Sequence, residues 1–178
     1  MSRIGKKPII VPLDVNLDIK NDKIIVKGKN GSLEQKYDQR LKLNLEKNEL
    51  IIIRTDEYKT TKAYHGLLRS LIQNMITGVK ESFTKVLIAE GIGYKFQVEK
   101  TKIILSVGFS HPVEFELPQD IIVKSESPTK ILIKGTNKEK VGLFASQIRA
   151  IKPPEPYKGK GIMYENEKII RKVGKTGK

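Results

Sequence analysis

The residues best suited to chemistry lie near the C-terminus, in the stretch PPEPYKGKGIMYENEKIIR at positions 153–171. Lys158 follows Tyr157 directly, Lys160 lies two residues further on, and each of the two lysines precedes a glycine. Lysine ammonium groups contact phosphates, a tyrosine ring can stack on a base, and glycine lets a backbone come close to another surface. The prolines fix φ and favour an extended course. This stretch therefore predicts recognition of a phosphate-lined surface by shape and charge.

Catalytic chemistry has little support in the sequence. The chain has no cysteine, and neither of its two histidines, His65 and His111, has a carboxylate at metal-ligand spacing. The GKT at 174–176 lacks the first glycine of a phosphate-binding loop, and GIGYKF has Phe96 where a dinucleotide fingerprint requires its third glycine. We expect no enzymatic activity, no metal and no cofactor. An enzyme that uses a nucleotide is the alternative.

The charge balance indicates a polyanionic partner. The 178 residues contain 34 Lys and Arg against 20 Asp and Glu, a net charge of +14, and residues 152–178 alone carry +5. Such an excess attracts nucleic acid, anionic membrane or acidic polysaccharide. No segment approaches the roughly 20 apolar residues that span a bilayer, and the N-terminus lacks the apolar run of a signal peptide. We expect a soluble chain that is used where it is made, or one whose targeting segment has been removed.

Other basic residues and both histidines are further candidates for contact with a polyanion. They are Arg3, Lys6 and Lys7 at the N-terminus, Lys62, His65 and Arg69 on a predicted helix, and His111 in a GFSHP turn. The helix residues are placed on the side away from its apolar stripe, so a solvated helix face is the alternative for them. For His111 the alternative is an ordinary polar contact within the turn.

The elements that must position these residues follow from the hydrophobic pattern. Alternation predicts strands in the first half at 15–19, 23–28, 41–45 and 49–54, and in the second half at 83–91, 94–100, 102–108, 120–125 and 130–135. Three- and four-residue spacing predicts helices at about 58–79, with Asp56 as a candidate N-cap, and at about 138–151.

The two halves resemble each other. Residues 24–71 lie over residues 104–151 at an offset of 80 without a gap, so that Gly28 falls on Gly108 and the apolar positions agree. The alternative is chance similarity between two segments rich in Ile and Lys.

The predicted fold class is therefore α+β. We expect two tandem similar domains, each an antiparallel sheet with one helix packed on a face, plus a basic C-terminal extension. The expected boundaries are 1–82 for the first repeat, 83–152 for the second and 153–178 for the extension. The extension has no counterpart in the first repeat and is read as an appendage.

Five motifs occur in one order along the chain. They are MSRIGKKPI at the start, HGLLRSLIQNM from His65, GYKF from Gly93, GFSHPV from Gly108 and PEPYKGKGI at 154–162. Together they resemble the large-subunit ribosomal protein six family of bacterial or organellar type, over essentially the whole chain. The sequence departs from the family pattern at Lys29 and Asn30, where Pro-Lys is expected, and at Met163.

The resemblance implies a non-catalytic structural role in the large ribosomal subunit. It implies binding to large-subunit (23S-type) rRNA near the sarcin–ricin loop and the stalk base, mostly through the C-terminal domain, in support of subunit structure and translation. The implied partners include neighbouring large-subunit ribosomal proteins, with no membrane and no small-molecule substrate. The implied location is the ribosome, in bacterial cytoplasm or in an organelle such as a plastid.

The family motifs also imply which residues bind the rRNA. The matching positions are Tyr157, Lys158, Gly159, Lys160, Gly161, Arg171, Lys172 and Lys175, with Arg3, Lys6 and Lys7 at the N-terminus. On this hypothesis, deleting residues 153–178 reduces rRNA affinity far more than it disturbs either domain. The alternative from another class is a stand-alone module that binds DNA or anionic surfaces without sequence preference.

Overall fold

The computed structural model describes residues 3–175, with side chains from Gly5 onward. The chain forms two compact units. Unit 1 comprises the residues up to 83 together with 136–138, and unit 2 comprises 84–135 together with the residues from 139 onward. None of the helices within residues 3–175 is long and apolar enough to cross a membrane.

Among the described residues, unit 1 contains two helices and six strands. The helices are α1 (Arg3–Lys6) and α2 (Lys59–Glu81), and the strands are β1 (Ile9–Ile10), β2 (Asn16–Ile19), β3 (Lys23–Gly28), β4 (Gly31–Lys36), β5 (Leu41–Glu46) and β6 (Glu49–Arg54). The strands form two three-stranded sheets, in the orders β1-β6-β5 and β2-β3-β4, and every pairing in them is antiparallel. Strand β4, which the sequence pattern did not predict, closes a tight hairpin with β3.

Helix α2 supplies one wall of the unit 1 core. Its buried residues Leu68, Ile72, Ile76 and Val79 recur at three- and four-residue spacing and pack with apolar residues of both sheets. The predicted N-cap at Asp56 is wrong. Tyr58 is the N-cap residue and makes no side-chain cap bond, while the Asp56 carboxylate accepts a hydrogen bond from the Tyr58 backbone N–H ahead of the helix.

In the part of unit 2 that the structure describes, up to residue 175, there are one helix and seven strands. The helix is α3 (Lys138–Ile151), and the strands are β7 (Phe83–Glu90), β8 (Lys95–Val98), β9 (Lys102–Ser106), β10 (Val113–Glu116), β11 (Ile121–Ser127), β12 (Lys130–Gly135) and β13 (Gly161–Tyr164). The sheet orders are β8-β9-β10 and β11-β12-β7-β13. The α+β class and the tandem similar units are confirmed, although each unit divides its strands between two sheets.

Strand β13 lies inside the segment that we expected to be an appendage. It pairs antiparallel with β7, Ile162 lying opposite Ala89, and Ile162 is fully buried in the unit 2 core. The segment after position 152 is thus in part a structural strand of unit 2. The sequence pattern missed it because four residues show no clear alternation, and their partner lies some 70 residues earlier.

The repeat holds in the structure, but not without gaps. Buried Ile24 and Val26 of β3 occupy the places of Ile103 and Leu105 in β9, one residue short of the 80-residue offset. The shift arises because the loop between β9 and β10 is longer than the β3–β4 turn. The corresponding helix positions keep the offset.

Candidate nucleic-acid interface

Two loops of unit 2 meet on the ring of Tyr94. A Cβ built on Gly91 would lie 2.8 Å from this ring, and one built on Gly108 would lie 3.1 Å from it. The Tyr94 backbone N–H donates to the Gly91 carbonyl at 3.2 Å and closes the first turn. Only residues without a side chain allow both loops to approach the ring so closely. The motifs GYKF and GFSHPV, which strand β9 separates in the sequence, thus lie at one place in the fold.

The predicted lysines lie on an ordered loop. The Glu155 backbone N–H donates to the Lys160 carbonyl at 2.9 Å, which closes the loop that carries Tyr157, Lys158 and Lys160. All three of these side chains are exposed. The Lys172 backbone N–H donates to the Pro156 carbonyl at 2.6 Å, so a second basic segment runs beside the loop.

The two glycines of this loop serve internal packing. A Cβ on Gly161 would lie 2.6 Å from the Pro153 carbonyl oxygen, and one on Gly159 would lie 3.0 Å from the Arg171 guanidinium. Both glycines are buried and have positive φ, 143° and 75°. This corrects the expectation that they let an external surface come close, since the surface they admit is the chain's own backbone and Arg171.

Two further cations lie beside the loop. The Arg171 guanidinium is 3.8 Å from the Glu90 carboxylate and is 61 % exposed. The Lys152 ammonium lies 5.0 Å from the centroid of the Phe109 ring. We define the cationic loop surface as Lys152, Lys158, Lys160, Arg171 and Lys172. Lys152 and Phe109 escaped the sequence analysis, although Lys152 directly precedes the prolines and Phe109 lies in the GFSHP motif.

An ion pair holds the segment after β13. The Arg149 side chain of α3 donates from Nε to the Glu167 carboxylate at 2.8 Å, and its second nitrogen bonds the other carboxylate oxygen. The Tyr164 backbone N–H also donates to Glu167, at 3.1 Å. The hydrogen bonds from Arg149 hold the pKa of the Glu167 carboxyl below its usual range. The cationic loop surface is therefore built on an anchored strand.

Of the other candidates in this half of the chain, His111 is exposed within the loop between β9 and β10, beyond Gly108. Lys175 is exposed at the end of the described residues. Their predicted contact with RNA stays a prediction.

The N-terminal candidates belong to unit 1. Lys6 and Lys7 are exposed, and the Lys7 carbonyl accepts a hydrogen bond from the Nε of Arg69 at 3.3 Å. The Lys62 ammonium lies 3.0 Å from the Glu57 carboxylate, which partly neutralises its charge. The side chain of Arg3 lies outside the described part of the chain.

The predicted surface position of His65 is wrong. The imidazole is 4 % exposed, and its Nε2 lies 2.9 Å from the Ile52 carbonyl oxygen of β6. A Cβ on Gly5 would lie 2.5 Å from its Nδ1, so α1 rests directly on the ring. His65 lies on the buried stripe of α2, four residues after Thr61 and three before Leu68. The 80-residue offset could have revealed this position, because His65 falls on Ala145, a buried residue of α3.

The fold and site define the class of this protein as a two-unit α+β protein with an ordered cationic loop surface. A sequence profile for the family described as Ribosomal protein L6 matches residues 11–82 and 90–165. The chain belongs to the ribosomal protein L6 family. The two matched segments cover the two structural repeats. Members of this family are structural components of the ribosome and are not enzymes, which confirms the prediction that the chain is not an enzyme.

Curated relatives match along their full length. The chain is 47 % identical over 176 residues to the large ribosomal subunit protein uL6 of Chloroherpeton thalassium, covering 99 % of this chain and 98 % of the relative. It is 48 % identical over 179 residues to the protein of the same name in Dictyoglomus thermophilum, covering 100 % and 99 %. It is 46 % identical over 178 residues to that of Synechocystis sp., covering 100 % and 99 %.

Proposed function

We propose that this protein is a structural constituent of the large ribosomal subunit and binds large-subunit (23S-type) rRNA through the cationic loop surface of unit 2. The observation that carries the proposal is the ordered loop that holds Lys158 and Lys160 next to Arg171 and Lys172. The identity to proteins named as large-subunit components supports the assignment to that particle.

The mechanism is electrostatic and requires no chemical step. Lysine and arginine side chains neutralise phosphates and release the counterions condensed on the RNA. Because backbone hydrogen bonds and packed glycines already fix the loop, little conformational entropy is lost when it binds. The surface positions the RNA by its backbone and shape, as expected for double-helical RNA, whose deep groove side chains do not enter.

The family resemblance supports a finer proposal for the location. We place the rRNA contact near the sarcin–ricin loop and the base of the stalk, with neighbouring large-subunit ribosomal proteins as further partners. The exposed Lys6 and Lys7 of unit 1 add a second, smaller contact with the RNA. The ribosome is the proposed location, in bacterial cytoplasm or in an organelle such as a plastid.

The decisive experiment removes charge without removing structure. Deleting residues 153–178 is not a clean test, because Ile162 of β13 is fully buried in the unit 2 core. The triple variant Lys158→Gln, Lys160→Gln and Lys172→Gln changes only exposed side chains. We expect its affinity for purified large-subunit rRNA to fall at least tenfold, and the slope of log K against log salt to fall by about 2–3.

The matched control removes the same charge elsewhere in unit 2. Lys100, Lys124 and Lys134 are exposed on the β8–β9 turn, β11 and β12, and their change to Gln leaves the loop intact. We expect the slope of log K against log salt for this triple variant to differ from the wild-type slope by no more than about one. Equal losses in both variants would contradict the assignment to the cationic loop surface. They would favour a module that binds polyanions non-specifically, which would also leave large subunits during sedimentation at moderate salt.

A further inference from the structure

Two large apolar side chains protrude beside the cationic loop surface. Ile92 is 94 % exposed at the tip of the Gly91–Gly93 turn, and Phe109 is 48 % exposed in the loop after Gly108. An apolar side chain that stays largely exposed removes little surface from water, so it adds little to the stability of the free protein. The pair therefore has no evident role in the stability of unit 2.

Both side chains are held on rigid backbone. Gly93 and Gly108 have positive φ of 75° and 79°, and the ring of Tyr94 packs under the glycines that precede Ile92 and Phe109. Tyr94 itself is partly buried against the unit 2 core. The loops that carry Ile92 and Phe109 thus pack on the same tyrosine ring, in a geometry that exists before any partner binds.

The charged residues beside Ile92 and Phe109 indicate the chemistry of the partner. The Lys152 ammonium is 5.0 Å from the Phe109 ring centroid, and Lys152 lies three residues before the lysine-bearing loop. The Glu90 carboxylate lies 3.8 Å from the Arg171 guanidinium and is partly neutralised by it. An apolar pair bordered by cations fits a ligand with an apolar face and an anionic edge. A nucleotide base with its phosphate has both.

We propose that Phe109 is a stacking platform for an unpaired rRNA base and that Ile92 supplies the second apolar contact to the same nucleotide. This inference rests on the proposed function and extends it from phosphate contacts to an unstacked base. Double-helical RNA hides the faces of its bases, so the partner segment is a loop, a bulge or a strand end. Lys152 then lies close enough to the ring to approach the phosphate of the stacked nucleotide.

The test uses the full chain and purified large-subunit rRNA in a filter-binding assay at moderate salt. Because base stacking on an aromatic side chain contributes about 1–3 kcal/mol, Phe109→Ala should weaken binding roughly 5- to 150-fold. Ile92→Ala should weaken it by a smaller factor. Neither change removes a charge, so the salt slope stays at the wild-type value. Ile122→Ala, at an isoleucine that is 58 % exposed on β11, is the matched control and should change nothing.

Phe109→Leu separates stacking from simple apolar contact. Leucine fills similar space without a π face, so we expect it to bind nearly as weakly as Phe109→Ala. Wild-type affinity for Phe109→Leu overturns the base-stacking proposal, as does wild-type affinity for Phe109→Ala. Either result leaves the proposed function standing if the lysine triple variant still lowers the salt slope. Absence of salt-dependent rRNA binding by the wild-type protein would instead overturn the proposed function itself.

Discussion

The two units share a pattern and differ at the end of their helices. Helix α2 of unit 1 has 23 residues, whereas α3 of unit 2 has 14 and stops at Ile151. At the 80-residue offset, Pro153 and Pro154 stand where α2 continues with Gln73 and Asn74. A proline removes a helical N–H and disfavours helix at the residue before it. The helix of unit 2 is therefore about two and a half turns shorter, and the chain that follows it forms the lysine loop and β13.

The same comparison shows how one helix position serves both units. Arg69 of α2 and Arg149 of α3 coincide at the repeat offset. Arg69 donates to the Lys7 carbonyl, and Arg149 donates to the Glu167 carboxylate. Each arginine thereby holds a terminal, lysine-bearing segment near its helix. The repeat thus places an arginine at the same helix position in both units, and each arginine bonds to a different terminal segment of the chain.

Adding a side chain at Gly161 should have the largest effect, and only in unit 2. Gly161→Ala places a Cβ 2.6 Å from the Pro153 carbonyl oxygen at a φ of 143°, so the start of β13 and the backbone at Pro153 must move apart. We expect a loss of about 3 kcal/mol or more in the free energy of unfolding, measured by urea denaturation. Hydrogen exchange should rise in β7 and β13, while β5 and β6 keep their protection.

Gly174→Ala is the control for this change, since a Cβ there meets nothing within 4 Å. Its stability should equal that of the wild type. A Gly161→Ala protein as stable as this control would show that β13 is not an integral strand of unit 2.

Filling the space between α1 and the His65 ring should have the next largest effect on stability, and this effect is on unit 1. Gly5→Ala brings a Cβ within 2.5 Å of the His65 ring, which cannot retreat easily because it is buried and bonded to the Ile52 carbonyl. We expect a loss of about 1–3 kcal/mol by thermal or urea unfolding. His65→Ala, which copies Ala145 of unit 2, should cost about 2–3 kcal/mol through the lost hydrogen bond and the cavity.

The double variant decides whether the two residues act on each other. Once His65→Ala has emptied the site, Gly5→Ala should cost far less than it does alone, with a coupling of at least about 1 kcal/mol. Strict additivity in this cycle would mean that α1 does not rest on the imidazole.

The ion pair of Glu167 in unit 2 should contribute a smaller, pH-dependent stabilisation. Because Arg149 lowers the pKa of the Glu167 carboxyl, its contribution is fully present above the ordinary glutamate pKa and is lost as the pH falls through the lowered value. Glu167→Gln should cost about 1 kcal/mol at neutral pH and should flatten part of the acid loss of stability.

The Asp38–Arg40 pair of unit 1 provides the comparison. Hydrogen bonds from Arg40 lower the Asp38 pKa to about 2, but both side chains are substantially exposed, and solvent screens the interaction. Asp38→Asn should change urea stability much less than Glu167→Gln does. The reverse order would show that anchoring of the C-terminal segment does not depend on the Arg149–Glu167 pair.

The smallest expected effect is a stabilisation at Gly142 of α3. The repeat places Lys62 of α2 at this position, and a Cβ on Gly142 meets nothing within 4 Å. Gly142→Ala should therefore raise the free energy of unfolding by about 0.5–1 kcal/mol, because alanine loses less backbone entropy in a helix than glycine does. A loss of stability would indicate that α3 does not accommodate a side chain at the position where α2 carries Lys62.

Much of the fold could be predicted from local pattern. The bounds of β3, β6 and α3 coincide with the predicted ranges, since alternation or helical spacing is strong there. Helix α1 and strands β1, β4, β10 and β13 escaped prediction. Residues 31–36 alternate only weakly, with Leu33 as their one large apolar residue, and β13 depends on pairing with a distant strand.

The candidate site could also be predicted only in part, because some of its residues are defined by residue type and others by contacts between distant segments. Lys158, Lys160 and Tyr157 are recognisable by type and spacing alone, and the structure shows them exposed on one loop. The contribution of Phe109 required knowing that its loop meets the Gly91 turn on Tyr94. Sequence reasoning also placed His65 on the exposed face of α2. A histidine is expected at the surface unless a buried hydrogen-bond partner is known, and here that partner is the Ile52 carbonyl.

By itself, the sequence determined the charge excess, the two repeats, the helix-stopping prolines and the family, because these depend on composition and local order. Only the tertiary structure decided that the C-terminal segment is part of the unit 2 sheet, that Gly161 admits the chain's own backbone, and that His65 supports α1. These features depend on contacts between residues far apart in sequence. Local propensity does not encode such contacts, whereas packing and long-range hydrogen bonds create them.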